Sequence, residues 1–519
     1  MTVVEVARRL RAWEAGRPVE RYSTLHHAVA RPGETLIVAF VRMAGESRPW
    51  GIAWGHPEDE PVIASVPDGR IRDDVAEIAV EFGEALLEHL RVENWTINPL
   101  YQDADPSDLR QVWVPNGQHV AMFHQLDYAY SQTTFGGANV DLLNALGRLA
   151  GWLFRDSNRS GSQHVIDASK ALREAYAFPA QDARQAHLGY LLGWLLTDGD
   201  RPTRMAAAEV AEAFPVSPTM DPNLERDELD GPLAKRRDLL REGADVDSVE
   251  AEIAAVLIAE LKRRWRLCEQ AYDVLANSDR PTNPGVDELV RVALGEFYWQ
   301  CQARELKRSD QTTGPPFIPH PETDHHGSAA ASRYLFHCAS DEAYINCLIH
   351  DDDVLFEEAI GDGRAIHGRV LAVTDEGEGR STRPVWTIEL ASDTLHRIRE
   401  GGRIVPRGSA GHWAAVRTIE RDGQLQIVIE WSGRKTKPLA TGIGGKPADE
   451  TWVGESIAFV ADDAAELTRR RSHRVWKAKD GPGGWLTHGR SGVQILADIA
   501  NDTPDEIVDD VVQIEDEPR

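Results

Sequence analysis

The sequence predicts a multi-domain α+β protein. An N-terminal α/β unit with antiparallel strands is followed by a helical middle. A C-terminal small β-barrel of the OB or SH3-like kind comes next, then a helix and an acidic tail. Three observations carry this reading. Three short runs of β-forming residues precede a long amphipathic helix. Helix-period segments then occupy residues 138–310, and short β-rich runs with glycine-containing turns crowd residues 366–431. The composition, 42% hydrophobic and 27% charged, is that of a globular chain able to bury cores.

Residues 1–135 form the expected α/β domain. Val3 to Glu14 reads as a short amphipathic helix, and Thr35 to Met43, Trp50 to Trp54 and Pro61 to Val66 as strands. The short connections make those strands antiparallel. Asp73 to Val92 carries Val75, Ile78, Phe82, Leu86 and Leu90 on one helical face, which suits it to cover the sheet. Trp95 to Ile97 and Gln111 to Val114 add edge strands.

Residues 138–310 form the expected helical domain, with helices at Val140 to Phe154, Gln163 to Ala177, Asp182 to Leu196, Arg204 to Phe214, Ser248 to Ala276 and Val286 to Lys307. Pro179 separates two of them, since proline cannot continue a helix. Pro215 to Asp230 reads as a loop, and Trp152, Trp194, Trp265 and Trp299 as core. Residues 311–330, with Pro315, Pro316, Pro319 and Pro321, form a proline-rich linker. Residues 331–480 form the barrel-like domain. Its strands are Tyr334 to Cys338, Ile366 to Val373, Pro384 to Leu390, Arg403 to Val405, Ala414 to Glu420 and Leu425 to Trp431, with a helix from Ala461 to Lys477. Asp422-Gly423 is a hairpin signal. Residues 498–519 hold nine acids against one basic residue and read as a disordered tail.

A net charge of −27 disfavours general adhesion to nucleic acid or to an anionic membrane, so any basic surface must be local. Between Arg364 and Lys437 there is one: 13 arginines and lysines stand against 9 acids. Arg399, Arg403 and Arg407 bracket a Gly401-Gly402 turn, Trp413 lies between strands, and Arg434, Lys435 and Lys437 follow Trp431. Basic loops interleaved with aromatics suit phosphate contact and base stacking. Forty-eight arginines against nine lysines point to a GC-rich bacterial genome. Four cysteines do not make a disulfide framework, the N-terminus lacks the apolar core of a signal peptide, and no apolar run reaches a membrane span. A cytoplasmic location without membrane contact is the expectation.

Other chemistry is weaker. His325, Cys338, Cys347 and His350 are the zinc candidates, and only Cys347 and His350 have ligand spacing. Asp351, Asp352 and Asp353 could gather Mg²⁺ in a nuclease, but no strand offers the accompanying acid-and-lysine pattern. Thr441 to Lys446 is glycine-rich yet lacks the first glycine and the final Ser or Thr of a P-loop. Ser160, Ser162 and His164 cluster outside any nucleophile elbow. The Gly136-Gly137 pair offers backbone amides to an anion. The leading expectation is therefore a non-enzymatic adaptor with a protein partner, no cofactor, and nucleic acid bound by the barrel as an accessory of a bacterial DNA-processing or defence assembly. The alternatives are a metal-dependent hydrolase built on residues 320–358 and a purely structural subunit.

Overall fold

The computed structural model describes residues 3–90, 109–158, 161–180, 184–295 except 284 and 288, 297, 327–378, 382–391, 395, 397–407, 412–421, 423–432 and 449–465. The chain is mixed α+β and divides into two units. One comprises Met1–Thr323 with Cys347–Glu358, the other Asp324–Asn346 with Ala359–Arg519.

The first unit is built on a five-stranded sheet ordered β4-β3-β2-β5-β6, from β2 (Thr35–Val41), β3 (Gly51–Gly55), β4 (Val62–Ser65), β5 (Gln111–Val114) and β6 (Val165–Asp167). The β2, β3 and β4 strands are antiparallel neighbours, as their short connections predict, whereas β5 lies parallel to β2 and β6 parallel to β5. Parallel neighbours need crossovers, which the helical segments α2 (Arg72–His89), α3 (Gly117–Tyr130) and α4 (Val140–Ser157) supply. A separate two-stranded ribbon pairs β1 (Val19–Glu20), which follows α1 (Val3–Ala15), with β7 (Tyr176–Ala177).

β2 shows why the sheet is central. Its run Leu36-Ile-Val-Ala-Phe-Val41 is buried along its whole length, as in a strand covered on both faces. On one face Phe40 packs edge-on against Phe82 of α2 and Phe123 of α3. On the other, Ile37, Ala39 and Val41 join a core with α5 (Ala168–Ala175), α6 (Leu188–Leu196) and α10 (Asp247–Ala276). The three- and four-residue spacing of Ile253, Leu257, Leu261, Trp265, Cys268 and Tyr272 forms the apolar stripe of α10. Each large side chain so buried contributes about 1.5–3 kcal/mol. The Trp265 indole N–H also donates to the Ile37 carbonyl at 3.1 Å, and the Tyr272 hydroxyl to that of Ala30 at 2.8 Å. α7 (Arg201–Glu212), the single turn α8 (Pro222–Leu224) and α9 (Asp230–Glu242) complete the described helices before α10.

The second unit holds a closed six-stranded antiparallel barrel. Its strands are β8 (Ala365–Glu376), β9 (Arg383–Leu390), β10 (Arg403–Pro406), β11 (Ala414–Glu420), β12 (Gln426–Trp431) and β13 (Ser456–Ala461). Around the ring the order is β10-β11-β12-β9-β8-β13. Alternate residues point inward, and Trp386 and Trp431 meet at 5.0 Å between ring centroids in the centre. Gly368 on β8 lies so close to β9 that a Cβ there would sit 2.3 Å from the Glu389 carbonyl oxygen.

Four sequence expectations are corrected. Tyr334 to Cys338 is not a strand but part of a helix, Gly327–Asp351. Its short apolar run is compatible with either state, and the surrounding alanines favour the helix. The helix expected from Gln163 begins only at Ala168, because Val165 to Asp167 pair with β5. Ala461 ends β13, so the helix expected from Ala461 begins only at 463, with 466–477 outside the described residues, and Ser456 to Ala461 close the barrel against β8 and β10. The loop expected at Pro215 to Asp230 contains two short helical turns, Pro222–Leu224 and Glu225–Leu229. Trp95 to Ile97, most of the linker and the acidic tail lie outside the described residues.

Candidate functional site

Period-2 alternation places Arg403, Val405 and Arg407 on the outward side of β10, with Ile404 and Pro406 inward. The Arg403 guanidinium lies 4.1 Å from the Trp413 ring centroid and pairs with Asp462 at 2.9 Å. Arg399 is exposed on the turn before β10, where its carbonyl accepts from Gly402 N–H at 2.9 Å. Ser432 N–H donates to the Trp413 carbonyl at 3.0 Å, so the chain leaves β12 beside Trp413. Arg434, Lys435 and Lys437 follow outside the described residues.

The other barrel tryptophans behave differently. Trp386 and Trp431 are fully buried core and Trp452 is nearly so. Most neighbouring arginines also have acid partners. Arg397 meets Asp463 at 3.0 Å, Arg417 meets Glu376 and Glu430 at 2.5 and 2.8 Å, and Arg383 meets Glu430 at 2.6 Å. The described arginines of this stretch, Arg403 included, are therefore largely held against acids, and the candidate basic surface is confined to the neighbourhood of β10.

The zinc and acid candidates are dispersed. Cys338 and Cys347 share one helix nine residues apart, on opposite sides at 100° per residue. His325 lies outside the described residues, and Cys347 and His350 alone fall on one face. Among the described residues no group of three or more His, Cys, Asp or Glu side chains is assembled to hold a metal ion. Asp352 instead caps the helix Asp353–Gly361, accepting from Val354 N–H and Leu355 N–H at 2.8 and 2.9 Å. Asp351 accepts from Asn283 at 3.0 Å. Ser162 donates to Asp156 at 2.6 Å, while the His164 ring meets the Arg110 carbonyl, so the two do not pair. Gly136 and Gly137 adopt positive φ in a turn whose hollow is also lined by Asp73 and Glu77, which disfavours an anion there.

Two charged groupings in the first unit were not legible in the sequence. Around β1 and β7, Tyr22 stacks on His26 at 4.1 Å, Arg8 lies over the Tyr22 ring, and His27 touches the Glu174 carboxylate. Burial works against the Glu174 charge, yet the adjacent His27 outweighs it and holds the pKa near 2. Arg280 donates to the Ala175 carbonyl at 2.9 Å and ties this region to residue 280. The partners come from positions 8, 22, 27, 174 and 280, which no local spacing rule connects.

The second grouping lines a cavity of about 870 Å³ formed by the β2–β3 connection, the β4–α2 connection and α3. Arg48, Arg70 and Arg72 face it with Glu46, Tyr128 and Tyr130. Glu46 is doubly engaged, by Arg70 at 2.8 Å and by the Trp50 indole N–H at 2.7 Å. Gly69 lets this wall form, since a Cβ there would sit 2.3 Å from the Trp50 ring. The side chains arrive from three separate segments, and each segment alone reads as ordinary polar surface.

Comparison of the chain with known protein families, with curated proteins and with solved structures finds no match.

Proposed function

We propose that the chain is a non-enzymatic binding or adaptor protein that contacts nucleic acid through the outer face of β10. The observation that carries the reading is the Arg403 guanidinium held 4.1 Å over Trp413, with Arg407 on the same side of the strand and Arg399 exposed at its start. A planar cation beside an aromatic ring offers a phosphate contact and a stacking face together. In sequence, Arg434, Lys435 and Lys437 follow Ser432, whose N–H donates to the Trp413 carbonyl. In this reading the barrel is of the OB or SH3-like kind. The protein works in the bacterial cytoplasm with a protein partner, as an accessory of a DNA-processing or defence assembly.

Contacts from Arg399, Arg403 and Arg407 alone give a slope of log K against log salt of about −2 on a single strand, and the 434–437 cations extend it to about −4. We expect a slope between those values when a fluorescent single-stranded oligonucleotide is titrated with the full chain at several salt concentrations. No binding, or binding that ignores salt, removes the proposal.

A further inference from the structure

We propose that the cavity bounded by Arg48, Arg72 and Tyr130 is a second binding site, separate from the barrel face, and that it takes a nucleoside phosphate. The first argument is charge. Arg70 is neutralised by Glu46, but Arg48 and Arg72 have no carboxylate partner among the described residues. Among the described residues the Arg48 guanidinium donates to the Arg70 carbonyl alone, at 3.3 Å. That of Arg72 donates to the Thr133 hydroxyl at 3.3 Å and lies 4.2 Å from the Phe135 ring centroid. Both lie close enough to Tyr130 to act on its hydroxyl electrostatically. The barrel arginines of the same acidic chain, by contrast, are mostly paired with acids. Two cations left facing one hollow, with only neutral acceptors behind them, complement an anion.

The second argument is Tyr130. It lines the cavity while only 4% exposed, and its hydroxyl makes no hydrogen bond among the described residues. A hydroxyl carried to the hollow by a buried ring, with no protein partner among the described residues, is set to meet a ligand atom. Burial pushes its pKa up to about 12 against the pull of Arg48 and Arg72, so it stays a donor at neutral pH.

The third argument is shape and apolar surface. About 870 Å³ suits a nucleotide-sized molecule, and inorganic phosphate would leave most of it empty. Tyr128 lines the same cavity with 87% of its surface exposed, an uncovered ring beside two guanidiniums. A base stacked on it would cover that ring while its phosphate reached Arg48 and Arg72. A free nucleotide and the end of a nucleic-acid strand present this same chemistry.

The test uses the full chain and calorimetric titration with adenosine monophosphate, inorganic phosphate and a 5′-phosphorylated six-nucleotide DNA. Adenosine monophosphate is expected to bind at least tenfold tighter than inorganic phosphate. Arg48→Gln combined with Arg72→Gln is expected to weaken it tenfold or more, and Tyr128→Ser to erase its advantage over phosphate. Tyr130→Phe removes one oxygen from a buried ring and keeps the packing, so it tests the same wall if the double variant proves unstable. An expected loss there of threefold or more is read against an unchanged melting temperature. If the oligonucleotide binds tenfold tighter than the monophosphate with the same sensitivity to these variants, the ligand is a strand end. Phosphate binding as well as the nucleotide, nucleotide binding that survives the double variant, or no binding at all overturns the proposal. Arg399→Gln with Arg407→Gln is expected to leave nucleotide affinity unchanged, which separates failure here from failure of the barrel reading.

Discussion

Replacing Glu260 with alanine is expected to destabilise the first unit by about 3–5 kcal/mol. The reason lies in Arg264, which is 0% exposed in α10 yet carries a guanidinium. Glu260, one turn earlier, accepts from it at 2.6 Å, and the Arg264 Nε donates to the Ser217 carbonyl at 2.8 Å. Burial pulls the Arg264 pKa down to about 10, and the Glu260 charge opposes that pull. Removing the carboxylate leaves a cation in apolar surroundings with no counter-charge of its own. Adding Arg264→Leu to the same chain is expected to recover a large part of the loss, because an empty pair is less unfavourable than half of one. Denaturant midpoints for the two single variants and the double variant check this. A Glu260→Ala loss below about 0.5 kcal/mol contradicts it.

Lowering the pH from 7.5 to 5 is expected to weaken the fold by about 4 kcal/mol through His89 and His119 alone. His119 accepts from Phe40 N–H on Nδ1 at 3.1 Å and, as the neutral Nε2–H form, donates to the Val216 carbonyl at 2.8 Å. His89 donates from Nε2 to the Gln111 carbonyl at 3.0 Å, and its unprotonated Nδ1 is buried without a donor among the described residues. Burial pushes both rings down to about 3. An unfolded histidine titrates near 6.5, so the unfolded chain takes up protons first as the pH falls. Stability is present above that value and declines below it, down toward 3, by about 2 kcal/mol per ring at pH 5. His119→Asn is expected to lower stability at pH 7.5 and to flatten the pH dependence. A pH profile unchanged by that substitution contradicts the assignment.

How much of this was legible depended on whether a residue's role is local. Gln111 to Val114, Ala414 to Glu420 and the helix from Ser248 to Ala276 were read at nearly their observed bounds, because alternation and helical spacing are local signals, although Gln111 to Val114 form an interior strand between β2 and β6 and not the expected edge. α3 was missed. Its run from Gly117 to Tyr130 has a weak amphipathic pattern, and its start is marked only by Asn116, whose side chain accepts from Gln118 N–H and His119 N–H. β6 and β13 were read otherwise because each depends on a distant partner, Val112 to Val114 for one and Ala365 to Arg369 for the other. The same limit hid the cavity. Arg48 and Arg72 are separated in sequence by β3 and β4, and Arg72 and Tyr130 by the length of α2, β5 and α3. In the barrel the opposite happened: Trp386, Trp413 and Trp431 looked equivalent in sequence, and only the closed ring distinguishes two core residues from the one that lies against Arg403.

The central claim is that nucleic acid meets this protein on the outer face of β10. Photocrosslinking a single-stranded oligonucleotide to the full chain, followed by peptide mapping, reads that contact directly. The account predicts crosslinks at Trp413 and within residues 397–413, lost when Arg399 and Arg407 are both changed to glutamine. Crosslinks confined to Tyr128 or to other surfaces, or none at all, would contradict it.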